Sequence, residues 1–339
     1  MPANNALPTR HYFASFPEQT FMSDMEALFT KKRSGHALKH IFTGAALNMW
    51  EQFTLAEDTH YYPFTCEAGL IAKCAPYFNA VANKLKERGP LTVVELGTGS
   101  QHAAQLKTVP FVEAVQPDFY YGVDYSLESA FHAATTVRER IKGVKIGMRN
   151  KNFITDDMDI PHAGPRIFIE FGSTLGNAEG FEDAPLPKDV VIQALANCRK
   201  HMSEGDYLIL GVDQNQDRRS LEAAYGHRLI SDFSNAMLRR VHDELPTEGF
   251  KPHHFRHVKR WQPQNHLFIN GFEAVQDGEF SFGKGEPIRY KKGELFNYCN
   301  SYKFPQYFLD HCYAQTGFRL ETKHSDKKGR ISLQCLVAA

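Results

Sequence analysis

Within eight residues, the run Val93-Val94-Glu95-Leu96-Gly97-Thr98-Gly99-Ser100 passes from the chemistry of a buried strand to that of a tight backbone turn. A short apolar stretch bounded by turn residues suits a strand covered on both faces of a parallel sheet, and Gly97 and Gly99 let the chain turn beside a ligand. A helix predicted from Ser100 or Gln101 would aim its unpaired N–H groups back over that turn. A dinucleotide fingerprint wants a third glycine three residues further on, and His102 stands there instead. A nucleoside without a pyrophosphate is therefore favoured. The next strand-like run ends in Asp124, 25 residues after Gly99, where a carboxylate can accept hydrogen bonds from both ribose hydroxyls. Glu95, Gly97, Gly99 and Asp124 together read as an S-adenosylmethionine (SAM) site on a Rossmann-like methyltransferase sheet.

Two more polar groupings fall at predicted strand ends. Asn152-Phe153 follows a third strand, where an amide can read an adenine edge and a ring can cover its face; Phe153 as plain core packing is the competing reading. Gly172-Ser173-Thr174-Leu175-Gly176-Asn177 follows a fourth strand and would lie beside the transferred methyl, since open α/β sheets bind ligands beyond the carboxyl ends of their strands. Asn177 could position an amine or a carboxylate, or simply cap a turn. Tyr61-Tyr62-Pro63 reads as an ordered loop, because proline biases its predecessor away from helix.

The elements that must carry these groups alternate. Helices are expected at 21–29, around 38–50, at 67–87, 100–108, 127–141 and 185–202, and strands at 91–96, 119–124, 144–148, 166–172 and 207–213. The fold class is α/β. After Asp213 the alternation fails: a long helix at 221–244 capped by Ser220 and strands at 257–261, 267–275 and 280–290 read as an inserted α+β lid. A helix at 305–314 and a closing hairpin, 319–323 with 331–337, return to the sheet. The expected organisation is an N-terminal helical segment, 1–75, with residues 1–20 a loosely held arm; a methyltransferase domain, 76–215 and 303–339; and a substrate-binding insertion, 216–302.

Composition limits the partners. The 339 residues hold 39 Lys+Arg and 39 Asp+Glu, so no net field draws the chain to nucleic acid or an acidic membrane surface. Six cysteines without a C-x-x-C pair read as reduced thiols in a cytoplasmic protein. Neither a signal peptide nor a transmembrane run is seen. His253-His254-Phe255-Arg256-His257 lacks further ligands at a metal-site spacing and reads as a solvated edge, so no metal is expected. The partner is a small molecule, and a monomer or weak oligomer suffices.

The chain resembles the histidine Nα-methyltransferases of ergothioneine biosynthesis and their relatives acting on prenylated tryptophan. The matching blocks are Tyr61-Tyr62-Pro63, Glu95-Leu96-Gly97-Thr98-Gly99, Asp124, Asn152-Phe153, the segment from Phe171 to Asn177, Gly211-Val212-Asp213, Ala224-Tyr225 and Ser301-Tyr302-Lys303-Phe304. The resemblance implies that Gly97, Gly99, Asp124, Asn152 and Phe153, with Glu95 and Gly172, hold SAM and release S-adenosylhomocysteine. It implies that Asn177 and Tyr225 bind an amino-acid carboxylate, that one of Tyr61 and Tyr62 lies near its amino group, and that Ser301 lines the side-chain pocket. Cys299 stands where the histidine-specific enzymes carry a glutamate that holds the imidazole, Phe42 where a tyrosine is expected, and Ala103 where a lysine is expected. With Ile269, these residues favour an aromatic or histidine-related amino acid over free histidine. Methylation of a ring nitrogen, hydroxyl or thiol, or ligand binding without catalysis, are the alternatives.

Overall fold

The computed structural model describes residues 18–56, 58–161, 164–180 and 186–339. The expected arm therefore falls largely outside the described residues, and the first helix already opens at Glu18. Five parallel strands form the centre of the main sheet: β1 (Thr92–Leu96), β2 (Phe119–Asp124), β3 (Lys145–Asn150), β4 (Arg166–Glu170) and β5 (Tyr207–Asp213). β1, β4 and β5 are buried along their whole length, which is why their sequences are almost continuously apolar.

The insertion contributes β6 (Thr247–Glu248), β7 (Phe255–Gln262), β8 (Leu267–Ala274), β9 (Gly278–Phe282), β10 (Ile288–Tyr290) and β11 (Leu295–Tyr302). The chain then closes with β12 (Phe318–Ser325) and β13 (Ile331–Ala338). The main sheet runs β12-β13-β5-β4-β1-β2-β3, with β13 antiparallel between β5 and the edge strand β12. In this sheet β12 alternates half-buried with exposed residues after the buried Phe318, as a half-covered edge should. The strand order reverses between β1 and β4, so the crevice above their carboxyl ends is the natural ligand position.

Several expected elements are redrawn. Residues 62–86 form two helices, Tyr62–Lys73 and Ala75–Lys86; Pro63 occupies the first turn of the former, where its missing N–H has no helical partner to lose, so Tyr62 starts a helix. Leu38–His40 is a short 3₁₀ turn, followed by the helix Gly44–Leu55. The long helix expected at 221–244 breaks at Tyr225-Gly226 into Arg218–Ala224 and Arg228–Glu244, with Asp217 as the N-cap. The expected strand at 280–290 is the hairpin of β9 and β10. β11 was not anticipated, because its sequence, LFNYCNSY, mixes asparagines into the apolar run.

Two apolar clusters flank the main sheet, and a third joins the N-terminal segment to the insertion: Phe21, Met25, Phe29 and Ile41 pack with Phe233, Met237, Phe272 and Phe296. Helix Arg228–Glu244 lies on helix Gly44–Leu55, and β7, β8 and β11 make a separate antiparallel sheet. The N-terminal segment thus shares its core with the insertion, across the crevice from the main sheet.

Candidate active site

A cavity of about 340 Å³ occupies that crevice. Its floor is the turn after β1. Gly97 (φ +69°) and Gly99 (φ +68°) both have left-handed backbone, and a Cβ on Gly97 would meet Oγ1 of Thr174, in the loop after β4, at 3.1 Å. The two loops therefore face one another across a cradle that a side chain would fill. Ser100 caps the helix that follows, its Oγ accepting from the Ala103 N–H at 3.2 Å. A π-turn at Ala104–Thr108 interrupts this helix. Thr108 donates to Glu95 at 2.7 Å, and Lys107 donates to Glu67 at 2.6 Å.

Asp124 sits half-buried beside the glycine turn. Its Oδ2 accepts from the Thr98 hydroxyl at 3.1 Å and the Gly99 N–H at 3.3 Å, and its Oδ1 accepts from the Ser126 N–H at 2.7 Å. Burial pushes its carboxyl above the ordinary value, against the pull of these donors. Asn152 forms a local turn, its Oδ1 accepting from the Ile154 N–H at 3.0 Å, and sets Phe153 on the cavity wall. These groups suit an adenosine: a carboxylate for the ribose, a ring and an amide for the base.

Glu95 borders the cavity, but both its oxygens are engaged beneath the turn, by Thr108 and by the Tyr120 hydroxyl. Burial pushes its carboxyl up to about 7. It braces the turn instead of presenting a carboxylate to a ligand. Gly172 (φ +96°) lines the cavity while its N–H donates to both oxygens of Glu67, at 2.9 and 2.8 Å. Lys107 Nζ lies 4.5 Å above the Phe64 ring. A lysine thus does border this floor, one helical turn beyond Ala103.

Across the cavity, the 3₁₀ turn Thr174–Asn177 packs on β11 so closely that a Cβ on Gly176 would meet the Tyr302 carbonyl at 2.9 Å. Asn177 is half-buried and faces the cavity. Near it lies a buried polar knot. Lys303 Nζ donates to Asp213 at 2.7 Å, to Ser301 Oγ at 2.9 Å and to the Tyr225 hydroxyl at 3.2 Å. Burial pulls the lysine's affinity for its proton down, yet Asp213 outweighs it and the ammonium is held. An ammonium has three donors and all three are engaged. Ser301 and Tyr225 both accept from it and their oxygens lie 3.4 Å apart, so one hydroxyl proton can bridge the pair while the other is left for a ligand carboxylate.

Tyr225 stands where the chain leaves the helix Arg218–Ala224. Its ring stacks on Phe268 with centroids 4.6 Å apart, and Lys259 donates to its carbonyl at 2.6 Å. Tyr61 lines the cavity 5.6 Å from the Tyr225 ring, and burial raises its hydroxyl far above the ordinary value. Tyr62 points away: its hydroxyl donates to Asp213 at 2.8 Å and Arg330 lies over its ring. Beyond Tyr61 the cavity ends among Phe42, Trp50, Phe233, Cys299 and Asn270.

The cavity therefore brings together Tyr61, Phe42, Asn177, Tyr225, Cys299, Ser301, Gly97, Gly99, Asp124, Asn152, Phe153 and Gly172. Ile269 is left out. Alternation along β8 turns it into the core of the main domain and gives its neighbour Asn270 to the cavity. Sequence reasoning also passed over Asp213, Lys303, Lys107 and Glu67. A period-two pattern could have found Lys303, since Cys299, Ser301 and Lys303 leave β11 on one face. The histidine-rich segment leads into the edge strand β7 with His253 and Arg256 exposed, but it is solvated only in part: His254 is buried against the Tyr290 hydroxyl at 2.7 Å and His257 contacts Ser231 and Asn270. Among the described residues, no three His, Cys, Asp or Glu side chains are grouped to hold a metal, and no helix is long and apolar enough to cross a membrane.

Three relatives are similar to the chain. A histidine N-alpha-methyltransferase of Mycobacterium tuberculosis (strain CDC 1551 / Oshkosh) is 28% identical over 66% of the chain and 65% of its own length, so the chain spans just under two thirds of that relative. One of Mycolicibacterium smegmatis is 25% identical over 70% of each protein. The N-methyltransferase fsqC of Aspergillus fumigatus is 29% identical over 43% of the chain and 37% of its own length. The fold, the crevice at the strand-order reversal and the cradle around Gly97, Gly99 and Asp124 accord with what residues 25–338 match as a whole: the chain belongs to the histidine-specific, SAM-dependent methyltransferase family.

Proposed function

We propose that the protein transfers methyl groups from SAM to the α-amino nitrogen of an amino acid whose side chain is aromatic or histidine-related. One observation carries this reading: Asn177 and Tyr225 share a single cavity with Gly97, Gly99 and Asp124. Groups suited to an amino-acid carboxylate thus lie opposite groups suited to adenosine. Gly97, Gly99, Asp124, Asn152 and Phe153 would hold the cofactor, which supplies an electrophilic methyl on a sulfonium. Asn177 and the Tyr225 hydroxyl, steadied by Lys303, would fix the substrate carboxylate, and Ser301 beside them would line the side-chain pocket. That leaves the amine beside Tyr61.

Methyl transfer needs a neutral amine lone pair in line with the methyl at near-attack distance, and positioning with water exclusion supplies much of the acceleration. Tyr61 keeps its proton at neutral pH. It can therefore orient the amine through its oxygen but cannot act as a base. Cys299 does not supply an anion for an imidazolium, because burial pushes its thiol up to about 12. This supports an uncharged side chain in the distal pocket.

The test is a methyl-transfer screen with SAM over free amino acids and their decarboxylated amines, read by mass with fragmentation. An α-amino acid should gain methyl on its amino nitrogen while its decarboxylated amine does not. Asn177→Ala should raise the amino-acid KM by roughly tenfold, the weight of one or two lost hydrogen bonds, with SAM affinity nearly unchanged. Equal turnover of the amines, or methylation elsewhere on the molecule, would overturn the reading.

A further inference from the structure

The distal end of the cavity is an aromatic box with one polar corner. The ring centroids of Phe42, Trp50 and Phe233 lie 5.3–5.6 Å from one another. The corner is Asn270 on β8, opposite Cys299 on β11. Asn270 is only 5% exposed, yet it borders the cavity.

A relay behind Asn270 engages its amide oxygen. His257 Nδ1 lies 3.1 Å from the Ser231 hydroxyl, and His257 Nε2 lies 3.4 Å from Asn270 Oδ1. Burial, with the charge of Lys259 nearby, pushes the imidazole down to about 4, so it is neutral at physiological pH. A neutral imidazole has one N–H, and a carboxamide oxygen can only accept. The proton is therefore on Nε2, and Nδ1 accepts the Ser231 hydroxyl. With Oδ1 taken by the imidazole, the amide N–H₂ is left toward the cavity, beside the Cys299 side chain that it hydrogen-bonds.

The carboxylates bordering the cavity are engaged elsewhere. Glu95 is held by Thr108 and Tyr120, Asp213 by Lys303, and Glu179 by Arg33, while Asp124 lies at the glycine turn. The distal box thus offers a donor and no anion. We propose that Asn270, oriented by His257 and Ser231, is the specificity-determining residue, selecting an aromatic side chain that carries an uncharged hydrogen-bond acceptor. Such a ring is favoured over a hydrocarbon ring, which would leave the buried donor unpaired, and over a protonated ring, whose N–H would meet the amide N–H₂. The inference rests on the α-amino methylation proposed above.

The test compares phenylalanine with the three pyridylalanines, which differ from it only by a ring nitrogen, under mildly alkaline conditions where that nitrogen is unprotonated. In the wild-type protein at least one pyridylalanine should exceed phenylalanine in kcat/KM by roughly tenfold or more. Asn270→Val should bring that ratio to within about twofold, because the donor is gone. His257→Phe should lower it several-fold, while SAM affinity measured by calorimetry is retained in both variants. Asn270→Asp, which replaces the donor with an acceptor, should shift preference toward histidine as the pH is lowered and its ring protonates.

A wild-type ratio near one, or a ratio that Asn270→Val leaves intact, overturns this inference while α-amino methylation stands. If SAM binds and no amino acid gains a methyl, the proposed function fails and the inference with it.

Discussion

The two ends of the cavity bury their carboxylates in opposite ways. Under the cofactor end, Glu95 and Glu170 are answered by neutral donors, and burial pushes them up to about 7 and about 8. Glu170 Oε1 accepts from the Thr174 N–H, while its Oε2 is buried with no partner. In the walls brought from other segments, Asp213 meets Lys303 at the substrate end, and Asp24 meets Lys39 at 2.7 Å and Arg33 at 2.7 Å. Asp24 is raised by burial but brought well below the usual range by its hydrogen bonds to His40 and Lys39. Glu67, where the ends meet, is paired with Lys107. A floor made by adjacent strands can hold protonated acids against local donors. Walls gathered from other segments are instead tied by ion pairs, local ones at Asp24 and, between Asp213 and Lys303, one that spans 90 residues of chain.

The sharpest way to break this comparison is Lys303→Ala. It leaves Asp213 buried without its cation, which should cost about 3–5 kcal/mol of stability in denaturant unfolding. A loss below about 1 kcal/mol would mean that the substrate end does not depend on this pair. The pH dependence of stability probes the other end. A carboxyl whose folded pKa is raised is stabilising below its unfolded value, and that contribution is lost as pH rises through the folded value. For Glu170 the window runs from 4.5 to about 8. Wild-type stability should fall across it by roughly 1 kcal/mol per pH unit for this group, and Glu170→Gln should flatten the slope. An unchanged slope would remove Glu170 from the account.

Asp124→Ala should separate binding from folding. We expect SAM affinity to fall by about 1–3 kcal/mol in calorimetry, with little change in unfolding midpoint. Unchanged affinity would refute the ribose role. The smallest effect is expected at Glu179→Ala, which leaves Arg33 paired with Asp24. Arg33 grips Glu179 with two hydrogen bonds of 2.7 Å, but the two side chains are 39% and 40% exposed. Water and salt screen the pair, so the loss should stay below about 1 kcal/mol and shrink further at high ionic strength. A larger loss would place this latch among the main supports of the substrate end.

Legibility followed the same division. The groups at the cofactor end lie close in sequence to the strands that carry them, so alternation and turn chemistry located Gly97, Gly99, Asp124 and Asn152. Glu95 was found, but its partners Thr108 and Tyr120 were not, and they turn it from ligand to brace. The substrate end was read from resemblance and only in part. Ile269 was chosen over Asn270 because the exact register of β8 cannot be fixed from one sequence, and a slip of one residue exchanges the two faces. β11 was missed because its asparagines obscured the strand pattern. Asn297 and Asn300 bond each other at 2.7 Å, and Asn300 reaches the Ala178 carbonyl at 3.1 Å.

The sequence by itself determined what depends on short-range order: the parallel strands, whose apolar runs must be covered on both faces; the glycine turn, whose backbone excludes side chains; and the acid one strand later. Only the tertiary structure decided which distant charges meet. Asp213 and Lys303 are 90 residues apart in the chain and Arg33 and Glu179 are 146 apart. No local propensity encodes such a pairing. It exists because the insertion and the N-terminal segment share one apolar core across the crevice, and that packing brings these charges to their partners.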